Sequence, residues 1–381
     1  MTLFPLFEVG SLPKLPGRQA KLAGREITTA DQTELQKVLN SMGQNLELTE
    51  IMTEFLAAQT KPEIIAANSR FNIKLFEQLG MAEVYDGETQ RKEMYEGLVE
   101  HVEGMQRLDR QVSFMNKEER LPSIFTPFSY REKLSLPEPV HVDETKTILE
   151  QATRPVKVPV TGAYTMGTWS DLGKLPAELM KRGLSHSEAR KVTMEQLVLE
   201  FADEVINPTL QALSTLGVKR IQIDEPNASA FYGQERLFYE ATRRSIAGVT
   251  GVELGLHICF SNDYRRIAKV AEMPEIKFLS LEIANRDTAD HRAYQEVITA
   301  FEQAGFKGSY AIGVTNVHID ELEPPKLIAE RLLYAADLVR AERIEAAHDC
   351  GLRSRSLSVA IEKTKSLARG VELARERYKE F

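Results

Sequence analysis

Short apolar, β-branched runs alternate along this chain with longer amphipathic stretches. The runs predict eight strands, at Leu3–Val9, Ala82–Asp86, Lys157–Thr161, Lys219–Asp224, Glu253–Ile258, Lys277–Glu282, Ser309–Val314 and Ile344–Asp349. Strands that alternate with helices pair in parallel, through right-handed crossovers. The pattern therefore predicts an α/β fold: a single (β/α)8 barrel of the TIM type over residues 1–381, with an open doubly wound sheet as the alternative.

The stretches between the strands carry helix signals. Apolar residues recur at helical spacing over residues 64–79, and this stripe stops at Gly80. Ser185 and Glu188 have the spacing of a capping box, which predicts the start of another helix. Residues 105–156 break the alternation after the second strand and include a proline-rich part. We predict that they form an insertion or lid within the barrel rather than a second domain.

Four residues with metal-binding side chains lie at the ends of three predicted strands. They are His257, Cys259, Glu282 and Cys350, and the chain has no other cysteine. Two thiolates, one imidazole and one carboxylate make a plausible tetrahedral zinc site. Because a carboxylate is a comparatively exchangeable ligand, a substrate thiol could replace Glu282 and bind as a zinc thiolate.

Two simpler interpretations of the cysteines stay open. A cysteine in a buried strand is often only a small apolar residue, and Cys259 and Cys350 could also form a disulfide. A disulfide is disfavoured because the chain starts without a secretion signal and has only two cysteines in 381 residues, which indicates a reduced, cytoplasmic protein. No run approaches the roughly 20 apolar residues of a membrane span. The net charge of −8 argues against a nucleic acid as the main partner.

Further polar residues follow the predicted strands. Ser11, Glu88, Asp224 and His318 lie at or just after strand ends, as the four metal-binding residues do. Active sites of barrels form at the C-terminal ends of the strands. We therefore expect all eight side chains at one mouth of the barrel, an arrangement that a purely structural zinc would not need.

Eight short motifs occur in an informative order along nearly the whole chain. They are Val9-Gly10-Ser11-Leu12-Pro13, Asp86-Gly87-Glu88 with Arg91, Thr161-Gly162 through Trp169-Ser170, Gln222-Ile223-Asp224-Glu225-Pro226, His257-Ile258-Cys259, Leu281-Glu282, Gly313-Val314 through His318, and Asp349-Cys350-Gly351-Leu352. In this order they resemble the catalytic half of cobalamin-independent methionine synthase. The resemblance implies a zinc-dependent methyltransferase of methionine biosynthesis that forms methionine from homocysteine, with one zinc ion per chain.

The resemblance also implies a role for each candidate residue. The four metal-binding residues match the family's zinc ligands. The segment around Ser11, with Glu88 and Asp224, matches the homocysteine site, where backbone groups hold the carboxylate and the two acids hold the ammonium. His318 matches the proton donor, and Trp169 matches an aromatic residue beside the methyl donor.

Departures from the family concern the methyl donor. Full-length members carry a second, N-terminal barrel that helps to bind folate, and this chain is too short for two barrels. The family's folate-contacting Arg-Cys pair has no clear counterpart around residues 123–133, and Ala230 stands where an acidic residue is expected. In these respects the chain resembles the short core methionine synthases. We therefore expect methylcobalamin or a methylated corrinoid protein as the donor instead of folate, and a corrinoid protein as a candidate partner.

Two other functions fit the same residues. An alkyl transferase acting on another thiol, such as coenzyme M opening an epoxide, would share the zinc ligands. Coenzyme M has a sulfonate and no amine, so the pair of Glu88 and Asp224 favours an amino-acid thiol. A non-catalytic barrel with a structural zinc is the alternative of another class, although structural zinc is usually closed by cysteines and histidines.

Overall fold

A curled parallel sheet forms the centre of the protein, which we describe from a computed structural model over residues 2–43, 45–114, 123–261 and 263–379. The strands are β1 Leu6–Phe7, β2 Glu103–Arg107, β3 Val112–Phe114, β4 Ser123–Phe125, β5 Phe128–Ser135, β6 Lys157–Thr161, β7 Arg220–Asp224, β8 Glu253–Ile258, β9 Ile276–Leu281, β10 Ser309–Thr315 and β11 Ile344–His348. Seven of them form the main sheet, in the order β1-β11-β10-β9-β8-β7-β6. All neighbouring pairs in it are parallel, as the alternation in the sequence predicts.

The two edges of this sheet approach each other at residues 82–86, where the sequence predicts a strand. Three backbone hydrogen bonds join the segment to both edges: Ala82 N–H to Leu6 O (2.9 Å), Val84 N–H to Pro155 O (2.9 Å) and Lys157 N–H to Val84 O (3.1 Å). The segment is an isolated bridge at Val84 rather than a regular strand. The sheet is thus curled like a TIM barrel and is not the open doubly wound alternative, but residues 82–86 do not form a regular eighth strand.

Helices connect the strands and pack on the sheet. They are α1 Arg18–Leu22, α2 Thr29–Ser41, α3 Leu46–Ala57, α4 Lys61–Gln78, α5 Glu96–Val99, α6 Val142–Gln151, α7 Ala163–Trp169, α8 Leu175–Lys181, α9 His186–Glu200, α10 Asn207–Ser214, α11 Glu235–Ile246, α12 Arg292–Gln303, α13 Pro325–Leu338 and α14 Leu357–Tyr378. The predicted capping box of Ser185 and Glu188 opens α9, and the apolar stripe before Gly80 is α4. Among the described residues no helix is long and apolar enough to cross a membrane.

The predicted insertion after the second strand position contains two small antiparallel sheets. Strand β2 pairs with β5, and β3 pairs with β4. Helix α6 then leads back to the main sheet at β6. Within the predicted bounds of 105–156, residues 115–122 lie outside the described residues.

A cluster of ion pairs lies at the amino-terminal end of the main sheet. Arg220, the first residue of β7, lies 2.8 Å from Glu253, 2.7 Å from Glu345 and 3.3 Å from Glu83. Its guanidinium also lies 4.9 Å from the ring centroid of Phe278. Arg220 thus offsets part of the charge of three carboxylates at this end of the sheet, and the candidate site residues lie at the opposite end.

Candidate functional site

His257, Cys259 and Cys350 come together at the carboxyl-terminal edge of the main sheet. His257 is the penultimate residue of β8, Cys259 follows that strand, and Cys350 follows β11 by two residues. Parallel strands of one curled sheet end at the same edge, so residues far apart in the chain converge. The ligand atoms of the three residues all lie within 4.8 Å of one another.

The serine opposite His257 fixes its ring. Ser280 is the register partner of His257 on β9, and its Oγ lies 2.9 Å from Nδ1. Among the described residues, the other ring nitrogen, Nε2, is buried and has no hydrogen-bond partner. A buried polar atom without a partner is costly, and nitrogen and sulfur are donor atoms that zinc prefers. The residues present therefore fit a zinc ion bound between Nε2 and the two sulfurs.

The thiols of Cys259 and Cys350 shift each other's pKa. Hydrogen bonding to Cys259, together with the imidazole of His257, lowers the pKa of Cys350 to about 5 against the opposing effect of burial. The same hydrogen bond, with burial, raises the pKa of Cys259. Metal ligation requires the thiolate form, and the lowered pKa of Cys350 favours that form.

Glu282, the predicted fourth ligand, lies just after β9 with its carboxylate hydrogen-bonded. Its Oε1 accepts from the side-chain amide of Asn285 (2.8 Å) and lies 2.6 Å from Nε2 of His318. Its Oε2 accepts from the backbone amide of Phe260, the neighbour of Cys259. Among the described residues, three of the four predicted ligands, His257, Cys259 and Cys350, thus form one group of metal-capable atoms. Glu282 lies beside this group and is hydrogen-bonded to other residues.

The loop that carries Glu282 is held by a second carboxylate that the sequence did not single out. Asp349 accepts hydrogen bonds from the backbone amides of Ile283 (2.8 Å), Ala284 (2.7 Å) and Asn285 (2.7 Å). Gly313 leaves room for it, since a Cβ there would lie 2.1 Å from Oδ1 of Asp349. Asp349 therefore fixes the position of Glu282 relative to the neighbouring Cys350.

The predicted site residues share one cavity of about 320 Å³. Its lining includes Ser11, Glu88, Trp169, Asp224, His257, Cys259, His318 and Cys350. Glu282 is 2% exposed and lies behind His318. The expected gathering at one mouth is thus present.

The loops after the first and last strands meet at Ser11. Its carbonyl accepts from the Leu352 amide (2.8 Å), and a Cβ on Gly351 would lie 2.1 Å from Ser11 Oγ, so glycine is needed there. Glu88 has a φ of 57°, which is unusual for a residue with a side chain. Its Oε1 lies 2.8 Å from the position that a Gly10 Cβ would take. The backbone therefore holds the Glu88 carboxylate directly against the Ser11 loop.

The adjacent acids at the end of β7 have different tasks. Asp224 lines the cavity, and burial raises its pKa to about 7, with His257 lowering it and Glu88 raising it. Glu225 accepts from the backbone amides of Tyr164 (3.0 Å) and Thr165 (2.8 Å) and so caps the start of α7. The two neighbouring carboxylates therefore act at different places, Asp224 in the cavity and Glu225 at the start of α7.

Residues 44–376 match the family model described as the catalytic domain of cobalamin-independent synthase. The chain belongs to the cobalamin-independent synthase family. The resemblance inferred from the eight motifs is thereby confirmed.

Relatives in the cobalamin-independent synthase family cover most of the chain. The methionine synthase of Thermoplasma acidophilum is 31% identical over 326 residues, which are 80% of this chain and 88% of that protein. The methionine synthase of Thermococcus kodakarensis is 29% identical over 300 residues, 78% of this chain and 80% of that protein. The chain is, like these relatives, a methyltransferase.

Solved structures agree with the fold. The B12-independent methionine synthase from Shewanella sp. W3-18-1, solved in complex with selenomethionine, superposes with a TM-score of 0.71 at 19% identity, and 100% of each chain is covered. A vitamin-B12-independent methionine synthase from Listeria monocytogenes gives a TM-score of 0.62 at 11% identity over 98% of each chain. Both comparisons support a TIM-like barrel.

Membership of the cobalamin-independent synthase family corrects the expected methyl donor. The departures around residues 123–133 and Ala230 led to methylcobalamin or a methylated corrinoid as the expectation. The family is defined by its independence of cobalamin, which argues against a methylcobalamin donor. The absence of recognisable folate motifs at these two places is thus weaker evidence about the donor than family membership.

An aromatic wall of the cavity was missed in the sequence. Phe125, at the end of β4, stacks on Trp169 with ring centroids 5.0 Å apart and planes 16° from parallel. Ile124 and Phe125 both line the cavity. Ile124 and Phe125 belong to none of the motifs in the sequence, and the fold places Phe125 against Trp169 at the end of α7.

Proposed function

We propose that this chain transfers a methyl group to the sulfur of homocysteine and so forms methionine. The observation that carries the proposal is the buried Nε2 of His257, which has no hydrogen-bond partner among the described residues and lies beside two thiols. The same cavity contains the carboxylates of Glu88 and Asp224. The relatives named methionine synthase support the same reaction.

The acceptor amino acid is placed by its charged groups. Its ammonium would lie between the carboxylates of Glu88 and Asp224, and its carboxylate against backbone groups near Ser11. Charge-assisted hydrogen bonds of this kind are the strong ones. They would aim the sulfur towards His257 and the cysteines, and fixed orientation is a large source of rate enhancement.

His257, Cys259 and Cys350 would hold zinc, with Glu282 as the fourth, exchangeable ligand. Bound zinc supplies one essential effect, since it deprotonates a thiol whose free pKa is about 8.5. Ser280 keeps Nδ1 of His257 engaged, so Nε2 is the nitrogen presented to the metal.

The transfer exchanges one bond for another. A bond forms between the acceptor sulfur and the methyl carbon while the methyl–donor bond breaks, and the bonding electrons leave with the donor. His318 would supply a proton to the departing group. Its imidazole is held in place by Glu282, whose Oε1 lies 2.6 Å from Nε2 of His318. The stacked rings of Phe125 and Trp169 offer an aromatic face to a donor with a flat ring.

We also propose that the chain is one catalytic domain with residues 82–86 in the position of an eighth barrel strand. A single apolar core cluster contains residues from both ends of the chain, Phe4 and Ala374 among them. The predicted insertion over residues 105–156 would cover part of the mouth, and the cavity-lining Ile124 and Phe125 support this.

The reaction is tested with zinc-loaded protein, homocysteine and one methyl donor at a time. Methyltetrahydrofolate and methylcobalamin form separate arms, and methionine is measured by mass spectrometry. We expect methionine in the arm without a corrinoid. Methionine from methylcobalamin alone would contradict the corrected donor, and no methionine in either arm, with zinc bound, would contradict the reaction. Alkylation of coenzyme M in place of homocysteine would support the other acceptor.

A further inference from the structure

A buried polar chain runs beneath the Ser11 loop and ends at Asp224. Its members are Glu8, Lys157 and Gln222, and each is at most 1% exposed. Gln222 and Asp224 lie two residues apart on β7, so the alternation of a strand places both side chains on the same face. The proposed methyl transfer assigns no role to Glu8, Lys157 or Gln222.

Lys157 anchors the chain. Its ammonium donates to the backbone carbonyl of Val9 (3.0 Å) and to Oε1 of Gln222 (3.0 Å). It also lies 3.4 Å from Oε2 of Glu8, which supplies a counter-charge for a cation that has no access to solvent.

These partners fix the orientation of the Gln222 amide. An ammonium only donates and a backbone carbonyl only accepts, so Oε1 must face Lys157 and Nε2 must face Val9. Nε2 then donates to the Val9 carbonyl (2.7 Å) and to Oδ1 of Asp224 (2.7 Å). The amide therefore joins the end of β7 to the residue that leads into Gly10 and Ser11.

We propose that Lys157 and Gln222 are positioning residues that set the selectivity for an amino-acid thiol, by fixing the Asp224 carboxylate at a set distance from the Ser11 loop. The inference rests on the proposed function, in which Asp224 binds the ammonium and the Ser11 loop binds the carboxylate of one acceptor. A site discriminates against an analogue that lacks a charged group when the protein group that binds this charge is held in place and stays unpaired in the complex with the analogue.

The test compares homocysteine with its desamino analogue, 4-sulfanylbutanoate, in binding and in KM on zinc-loaded protein. Gln222→Met and Gln222→Asn remove or shorten the amide without adding charge. The double variant Lys157→Met with Glu8→Gln removes the anchor while conserving the net charge. Glu302→Gln is the matched control, because Glu302 is a partly buried acid that pairs with Arg343 and has no contact with the polar chain among the described residues.

We expect the wild type and Glu302→Gln to prefer homocysteine. We expect each Gln222 variant and the double variant to lose that preference by about tenfold or more, with zinc content and the affinity for the analogue unchanged. Equal weakening of both ligands would indicate a merely structural role and overturn the inference, as would an unaltered preference in folded, zinc-containing Gln222→Met. A wild type without any preference would instead contradict the ammonium site of the proposed function, and the inference with it.

Discussion

Nε2 of His318 lies 2.6 Å from Oε1 of Glu282, and both side chains are buried. The sequence gives these residues separate roles, one on the metal and one on the proton, whereas the fold makes them partners. A carboxylate that leaves a metal needs another hydrogen-bonding partner, because a buried unpaired charge is costly. His318 provides that partner, which is consistent with Glu282 as an exchangeable ligand.

His318→Gln tests this partnership. The glutamine keeps a polar group near Glu282 but removes the ring that would supply a proton, so we expect kcat to fall by about 10²- to 10⁴-fold. Zinc content should not change, because His318 is not one of the grouped metal-binding residues. Steady-state kinetics and metal analysis measure both, with the exposed His101→Gln as the matched control. An unchanged kcat would remove His318 from the reaction.

Ser280→Ala tests the orientation of the imidazole. The variant loses the contact to Nδ1 of His257, so the ring is free to turn its bare Nε2 away from the cysteines. Loss of such a supporting contact typically weakens metal binding by about 10- to 100-fold. Competition with a chelator measures the zinc affinity. Ser245→Ala is the control, since the hydroxyl of Ser245 is also buried and donates to a helix carbonyl, that of Ala241. Equal zinc affinities in all three proteins would argue against the site.

Asp224→Asn tests the ammonium site. The amide keeps the shape of the side chain and removes the charge, so the acceptor ammonium loses a charged partner. We expect the KM for homocysteine to rise by about 10- to 100-fold, the equivalent of one charged hydrogen bond, with a smaller effect on kcat. Asp203→Asn, at a half-exposed helical position away from the cavity, is the control. A KM equal to that of the wild type would contradict the assignment.

Glu144→Gln tests the buried ion pair between Glu144 and Arg91. Glu144 lies 2.5 Å from the guanidinium of Arg91. Burial alone would raise the pKa of Glu144, but Arg91 and then His141 override burial and hold it well below its usual range. The folded protein therefore binds this proton less readily than the unfolded chain does. The stability that the pair contributes is present above the unfolded pKa of 4.5 and is lost as the pH falls below it.

The variant should be less stable than the wild type by about 3–5 kcal/mol at neutral pH, because Arg91 is left buried without its partner. It should also lose less stability on acidification. Urea unfolding over a series of pH values measures the free energy of unfolding, with the exposed Glu138→Gln as the control. Equal stability at neutral pH, or an equally steep acid dependence, would show that the pair is not coupled to folding.

The strand ends of the main sheet could be predicted from the sequence because parallel strands carry continuous apolar runs. Those runs place His257 and Asp224 at the correct edge without knowledge of their neighbours. Residues 82–86 were predicted as a strand for the same reason, yet they form only one bridge between the sheet edges. An apolar run predicts that a segment is buried. Whether the segment also forms the hydrogen bonds of a β-strand depends on neighbours that are distant in sequence.

Other features of the site depend on contacts that no local pattern encodes. Phe125 is one aromatic residue among many until the fold brings it to Trp169. Gln222 was noticed only as part of a motif, and its role depends on Lys157, which is 65 residues away in sequence. Asp349 likewise acts on a loop that follows a different strand. Long-range polar contacts of this kind become visible only in three dimensions.

X-ray absorption at the zinc edge, with and without homocysteine, tests the central claim most directly. The account predicts bound zinc with two sulfur neighbours, one imidazole nitrogen and one oxygen in the free protein. With homocysteine it predicts a third sulfur neighbour in place of the oxygen. A coordination shell that homocysteine leaves unchanged, or a metal without sulfur neighbours, would contradict the account.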